Sequence, residues 1–144
     1  MILSDKKILA EIKKKSIVIE PFDVNNMGGN SYDVHLSKHF AQYIDKTIDA
    51  KKHNKIKHFE QLYLAATEEY TETHKHVPFL EGKSSTGRLG IDIHATAGKG
   101  DVGFCGFWTL EISASKPVRI YPGMPIGQLI YYIVDGKVDR LYHK

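Results

Sequence analysis

Phe107-Trp108-Thr109-Leu110-Glu111-Ile112 is the stretch on which the fold turns. Trp108, Leu110 and Ile112 fall on one side of an extended chain, while Phe107, Thr109 and Glu111 fall on the other. The same period of two recurs upstream, where Ile91, Ile93 and Ala95 alternate with Asp92, His94 and Thr96. It recurs again where Tyr32, Val34 and Leu36 alternate with Asp33, His35 and Ser37. Ile17 to Ile19 is a β-branched run ending before Pro21, and Leu62 to Thr73 is rich in aromatic and threonine residues. Val118 and Ile120 lead into the turn Tyr121-Pro122-Gly123 and then a strand over 128–134. Asp135-Gly136 predicts a hairpin that returns over 137–141. Ser4 caps a helix from about Asp5 to Lys14, with Ile8, Leu9 and Ile12 as its apolar stripe. Residues 45–59 are polar without a clean period and predict a surface excursion. Many short strands with frequent turns predict a mostly β domain, a sandwich or barrel with one short N-terminal helix.

The composition bounds the rest. A chain of 144 residues with 42% apolar and 26% charged side chains builds one core and one domain, 1–144. The net charge of +3 is too small to imply a nucleic-acid partner. Lys46, Lys51, Lys52, Lys55 and Lys57 cluster between 46 and 58, as a solvated loop or as a rim that attracts phosphate. The single cysteine, Cys105, excludes an intrachain disulfide and a multi-thiolate metal site. The opening residues lack the apolar core of a signal peptide, and no apolar run reaches the length of a membrane span. The expectation is a soluble, cytoplasmic protein.

Two stretches carry chemistry. Gly82-Lys83-Ser84-Ser85-Thr86-Gly87-Arg88-Leu89-Gly90 combines small residues, hydroxyls and two cations, which suits a polyphosphate. Its spacing is not that of a Walker loop, and taken alone it fits an ordinary polar turn equally well. Thr96-Ala97-Gly98-Lys99-Gly100-Asp101-Val102-Gly103-Phe104 packs three glycines between strands, which implies close backbone approach; its Asp is most simply a turn former. Glu111 lies mid-strand between Leu110 and Ile112. On an inner face it is partly desolvated, the condition under which a carboxylate moves protons; on a face that meets water it is an ordinary surface residue. The H-x-E and P-C-x-x-C signature of zinc deaminases is missing, since His94-Ala95-Thr96 lacks the Glu.

These segments resemble the dCTP deaminases. Gly82 to Gly90 is similar to their R-S-S-x-x-R-x-G segment, His94 to Gly106 to their H-x-T-A…I-D-x-G-[WF]-x-G segment, and Thr109-Leu110-Glu111 to the [TV]-L-E that follows. Ile2 to Asp5, Ile17 to Pro21 and Ser31-Tyr32-Asp33 resemble the opening of the family, and Pro122 to Gln128 its late strand. The resemblance runs from Met1 to about Tyr142. It implies the distorted, jelly-roll-like β-barrel of the trimeric dUTPases, a homotrimer with sites at subunit boundaries, and Mg²⁺ bound through the substrate phosphates rather than through protein side chains.

Carried over by residue, the resemblance implies Glu111 as general base and acid for deamination of the cytosine ring, a step that uses no zinc. Ser84 and the carbonyl of Ala97 would hold the attacking water, and Arg88 would order the Glu. Lys83 and Ser85 would meet phosphate, Asp101 the deoxyribose 3′-hydroxyl, and Thr96 and Tyr142 the remainder of the substrate. Lys83 stands where the family more often has Arg, which replaces a planar fork by a point charge. Gly98 stands where some members have His. The chain also stops at Lys144, where the family continues with a closing tail, so the expectation is a truncated tail or another means of closure. The first functional reading is dCTP to dUTP and ammonia in pyrimidine deoxynucleotide metabolism. The alternatives are a bifunctional, dUMP-forming enzyme or dUTP nucleotidohydrolase, and a non-catalytic nucleotide-binding trimer.

Overall fold

Ser4 opens the first helix by accepting the Lys7 N–H, and α1 (Asp5–Lys13) ends as the chain swings through Lys15, whose φ of 56° is left-handed. The computed structural model describes residues 1–42 and 62–142. The polar excursion over 45–59 and the basic stretch over 46–58 lie outside the described residues. α1 buries Ile8 completely, as its stripe predicts.

The strands are β1 (Ile17–Glu20), β2 (Tyr32–Gln42), β3 (Tyr63–Thr73), β4 (His76–Gly82), β5 (Ile91–Asp92), β6 (Cys105–Ala114) and β7 (Pro125–Ile133). A five-residue helix, α2 (Ser84–Arg88), interrupts them between β4 and β5. The sheet runs β4-β7-β2-β3-β6-β5, and every pair in it is antiparallel. β1 joins β3 beyond the end of β2, so the two shorter pairings share one long strand. The outer edge of β4 meets the segment after β5: Leu80 N–H donates to Gly98 O at 2.7 Å and Gly100 N–H to Pro78 O at 2.8 Å. That seam brings the two ends of the sheet together as a distorted, nearly closed barrel.

The core fills with the residues that the alternation selects. Tyr32, Val34 and Leu36 from β2 meet Trp108, Leu110 and Ile112 from β6 and Ile126 and Leu129 from β7, all buried. Burial of one such side chain contributes about 1.5–3 kcal/mol, so the period of two decides which face turns inward. Where the β3–β6 ladder slips between Ala66 and Tyr70, the Thr67 hydroxyl accepts the Trp108 backbone N–H at 3.0 Å. Thr71 accepts the Trp108 indole N–H at the same distance. The slip therefore leaves no buried donor unpaired at Trp108.

The predicted return strand over 137–141 does not form. β7 already has β2 on one edge and β4 on the other, so no ladder is left for a hairpin partner. The chain instead leaves β7 through Gly136, at φ 90°, and Tyr142 N–H reaches Val102 O at 2.8 Å. β4 has no counterpart among the predicted strands. It contains Pro78, which suits a strand whose outer edge is met by a loop.

Candidate active site

Thr86 fixes α2. It is buried, its hydroxyl bonds Lys83 O at 2.7 Å, and it reaches Ile126 O at 3.4 Å. With Thr86 turned inward, Ser84, Ser85 and Arg88 are turned to solvent. Lys83 leads into the helix half-buried, its ammonium paired with the carboxylate of Asp33 on β2. The predicted polyphosphate loop is thus a short helix with two exposed hydroxyls and an exposed guanidinium. The pairing of Lys83 with Asp33 is a contact that the sequence reading missed. Asp33 belongs to the Ser31-Tyr32-Asp33 segment, the signal that could have pointed to it.

Glu111 lies on the outward face of β6, half-buried, while its neighbours Leu110 and Ile112 point into the core. Of the two placements left open, the outward one holds, because Trp108, Leu110 and Ile112 take the inner side. Partial desolvation still arises, by another route. The segment after β5 crosses over the strand, where Glu111 N–H donates to Ile93 O at 2.9 Å and the Glu111 carboxylate accepts the Ala95 N–H through Oε2 at 3.0 Å. Thr96, exposed, follows directly. The backbone donor at Ala95 holds one oxygen of the carboxylate in place.

Ala97, Asp101 and Tyr142 meet at a cleft of about 440 Å³ whose walls also include Gly106, Trp108 and Thr109. Asp101 is exposed and pairs with Lys99 in the same loop. Tyr142 packs against Phe104 at a ring-centroid distance of 5.6 Å. Thr109 shares the outward face of β6 with Glu111, two residues away, so the cleft and the carboxylate lie along one strand face. Hollows of about 560 and 750 Å³ lie elsewhere, one beside Phe40 and Tyr63, the other beside Lys38 and Phe107. Neither is lined by any of the predicted site residues, so size alone does not choose the site.

The structure therefore groups Glu111 with Ala95 and Thr96, and Ala97 with Asp101 and Tyr142. It does not join them to the α2 residues: among the described residues, no hydrogen bond or ion pair links Ser84, Ser85 or Arg88 to Glu111 or to Asp101. Beneath the loop, a Cβ on Gly98 would meet Leu80 O and His94 Nε2 at 2.8 Å, so the close approach expected of that glycine is present. The half-buried His94 keeps its Nδ1 inside without a hydrogen-bond partner.

Comparison with known proteins identifies the family. The dCTP deaminase-like family matches residues 2–134. The chain is 46% identical to a dCTP deaminase, dUMP-forming, of Cytophaga hutchinsonii, over 90% of this chain and 83% of the relative. It is 47% identical to the protein of the same name from Clostridium acetobutylicum, over 97% of this chain and 87% of the relative. The crystal structure of 2′-deoxycytidine 5′-triphosphate deaminase from Agrobacterium tumefaciens superposes with a TM-score of 0.70 at 22% identity. It covers 92% of this chain, which spans 48% of that one, and it bears on the fold alone. A family match along nearly the whole chain, relatives approaching half identity and the shared barrel lead to one conclusion: this chain belongs to the dCTP deaminase family.

Proposed function

We propose that this protein converts dCTP to dUMP, deaminating the ring and then removing pyrophosphate. The observation that carries the ring chemistry is Glu111, a half-buried carboxylate with Oε2 anchored on the Ala95 N–H and Oε1 left for substrate. In the first step Glu111 takes a proton from water, the oxygen attacks C4 of cytosine, and the proton passes to N3. Glu111 then carries the proton of the new C4 hydroxyl to the amino group, and ammonia leaves as the C4 carbonyl forms. Ser84 and the Ala97 carbonyl hold the water, and Arg88 orders the carboxylate. In the second step another water attacks the α-phosphorus and pyrophosphate leaves, with Asp101 receiving the 3′-hydroxyl and Thr96 and Tyr142 completing the pocket. Relatives named dUMP-forming support this second step over release of dUTP, the first reading of the sequence.

Residues from α2 and from the cleft complete one site only when two copies meet, and a homotrimer supplies that meeting. Phe107 and Tyr121, each more than half exposed, are apolar surface that such an assembly would cover. Mg²⁺ fits as part of the substrate. Ser84 and Ser85 hydroxyls and the Lys83 ammonium are donors for phosphate, and Mg²⁺ characteristically keeps water and phosphate oxygens as its ligands. Bound there, the ion would neutralise charge on the triphosphate. The setting we propose is the cytoplasm, within pyrimidine deoxynucleotide metabolism, with nucleotides rather than nucleic acid or membrane as partners.

Incubation with dCTP and Mg²⁺ tests the reading. Ammonia, dUMP and pyrophosphate released in equal amounts support it. Accumulated dUTP with no pyrophosphate returns the protein to simple deamination, and no product at all favours the non-catalytic trimer.

A further inference from the structure

On the β3–β6 ladder, Glu72 faces Cys105 as its register partner, and His74 stands at the turn just beyond the end of β3. One ligand atom from each of these three side chains lies within 4.8 Å of the others, and no other such group of His, Cys, Asp and Glu occurs among the described residues. His74 Nε2 and Glu72 Oε2 are hydrogen-bonded at 2.9 Å, so the two donors already face one point, and an ion entering there would take the place of the shared proton. The second Glu72 oxygen accepts the Tyr70 hydroxyl at 3.0 Å, which fixes the carboxylate as an outer-shell partner does in metal sites. His74 is 44% exposed, so an ion has a way in.

We propose that Glu72, His74 and Cys105 bind a zinc-class divalent cation, separate from any Mg²⁺ carried by the nucleotide. The donor set decides the class. A thiolate and an imidazole prefer zinc, cobalt or nickel, and Mg²⁺ takes oxygen. Three protein ligands and one water make a tetrahedral site, with the ligands ~2.0–2.3 Å from the ion. On binding, the Cys105 thiol loses its proton to solvent, and one thiolate and one carboxylate balance the dication. The ion would tie the end of β3 to the start of β6, in the wall of the cleft that Cys105 also lines. None of this depends on the nucleotide reading.

Cobalt(II) titration of the full chain tests it, because Cys105 is the only sulfur able to give a thiolate-to-metal charge-transfer band. The expected result is a near-ultraviolet band that saturates at one ion per chain, is displaced by zinc and is lost in Cys105→Ser. His74→Ala and Glu72→Gln should keep the band but weaken binding by about tenfold or more. Zinc should raise the Tm of the parent chain and leave that of Cys105→Ser unchanged. Failure to form the band overturns the proposal. So does saturation at half an ion per chain, which means bridging between copies, or unchanged affinity in His74→Ala.

Discussion

Glu111→Gln keeps the size of the side chain and its place opposite the Ala95 N–H, but the amide cannot cycle a proton. A positioned acid–base supplies ~10²–10⁴-fold, so ammonia release should fall by that order while dCTP still binds. Ammonia assay paired with calorimetric titration measures both; activity within a few-fold of the parent overturns the mechanism. The sequence already shows that Glu111 alternates with the core residues of its strand. It does not show which side is inside, because a period of two is symmetric until burial chooses. The Ala95 N–H was invisible too, since it comes from another segment. A second carboxylate, Glu11, gives a stability prediction. The Ser16 hydroxyl, opposed by burial and aided by Lys7 and Lys14, lowers it from an ordinary 4.5 to about 2, with His76 Nε2 3.6 Å away. A depressed carboxylate stabilises the fold fully above its unfolded value, and that stability is lost as pH falls from about 4.5 through about 2. Denaturant melts across that range should show a steep acid-side loss in the parent that Glu11→Gln flattens; equal slopes overturn the assignment.

At the level of elements, the seam between β4 and the 98–100 segment is the weak join. A methyl at Gly98 would sit 2.8 Å from the backbone oxygen of Leu80, which cannot swing aside as a side chain can. Gly98→Ala should therefore part the seam and cost ~1–3 kcal/mol, with faster amide exchange at Leu80 and Gly100 than elsewhere. Unchanged exchange at those two amides would show that the loop absorbs the methyl. The elements most legible in the sequence were those with an uncrowded local signal: α1 with its serine cap, β2 and β6 with their alternation, and β3 with its aromatic and threonine residues. β4 was lost because Pro78 reads as a strand breaker unless its edge position is known. The hairpin after Asp135-Gly136 erred in the opposite direction. The turn signal is local, whereas the occupied edges of β7 are a property of the assembled sheet. α2 fell between the two, read as a polar turn and pinned as a short helix by a Thr86 contact that spans 40 residues.

For the whole molecule, the proposed trimer has a direct measure. Light scattering at micromolar concentration should report three copies, and Phe107→Glu, which charges an exposed apolar position, should lower the mass and the activity together. A monomer that retains full activity overturns the shared site. How α2 and the cleft would come to one site was the part least legible in the sequence. Ser84 and Arg88 face solvent and Glu111 is half-buried on an outward strand face, and in the proposed trimer their relation would be set between chains rather than within one. The order of assembly follows from the two ends of the sheet. Leu3 N–H bonds Tyr131 O and Ile133 N–H bonds Met1 O, both at 2.9 Å, so the first residues of the chain are tied to its last strand. During synthesis on the ribosome, the N-terminal segment emerges long before its partner exists. The barrel becomes a stable unit only once residue 133 has cleared the exit tunnel. A translational pause within the β7 codons would hold the nascent chain with its apolar sheet face uncovered, the stage at which a chaperone would find it.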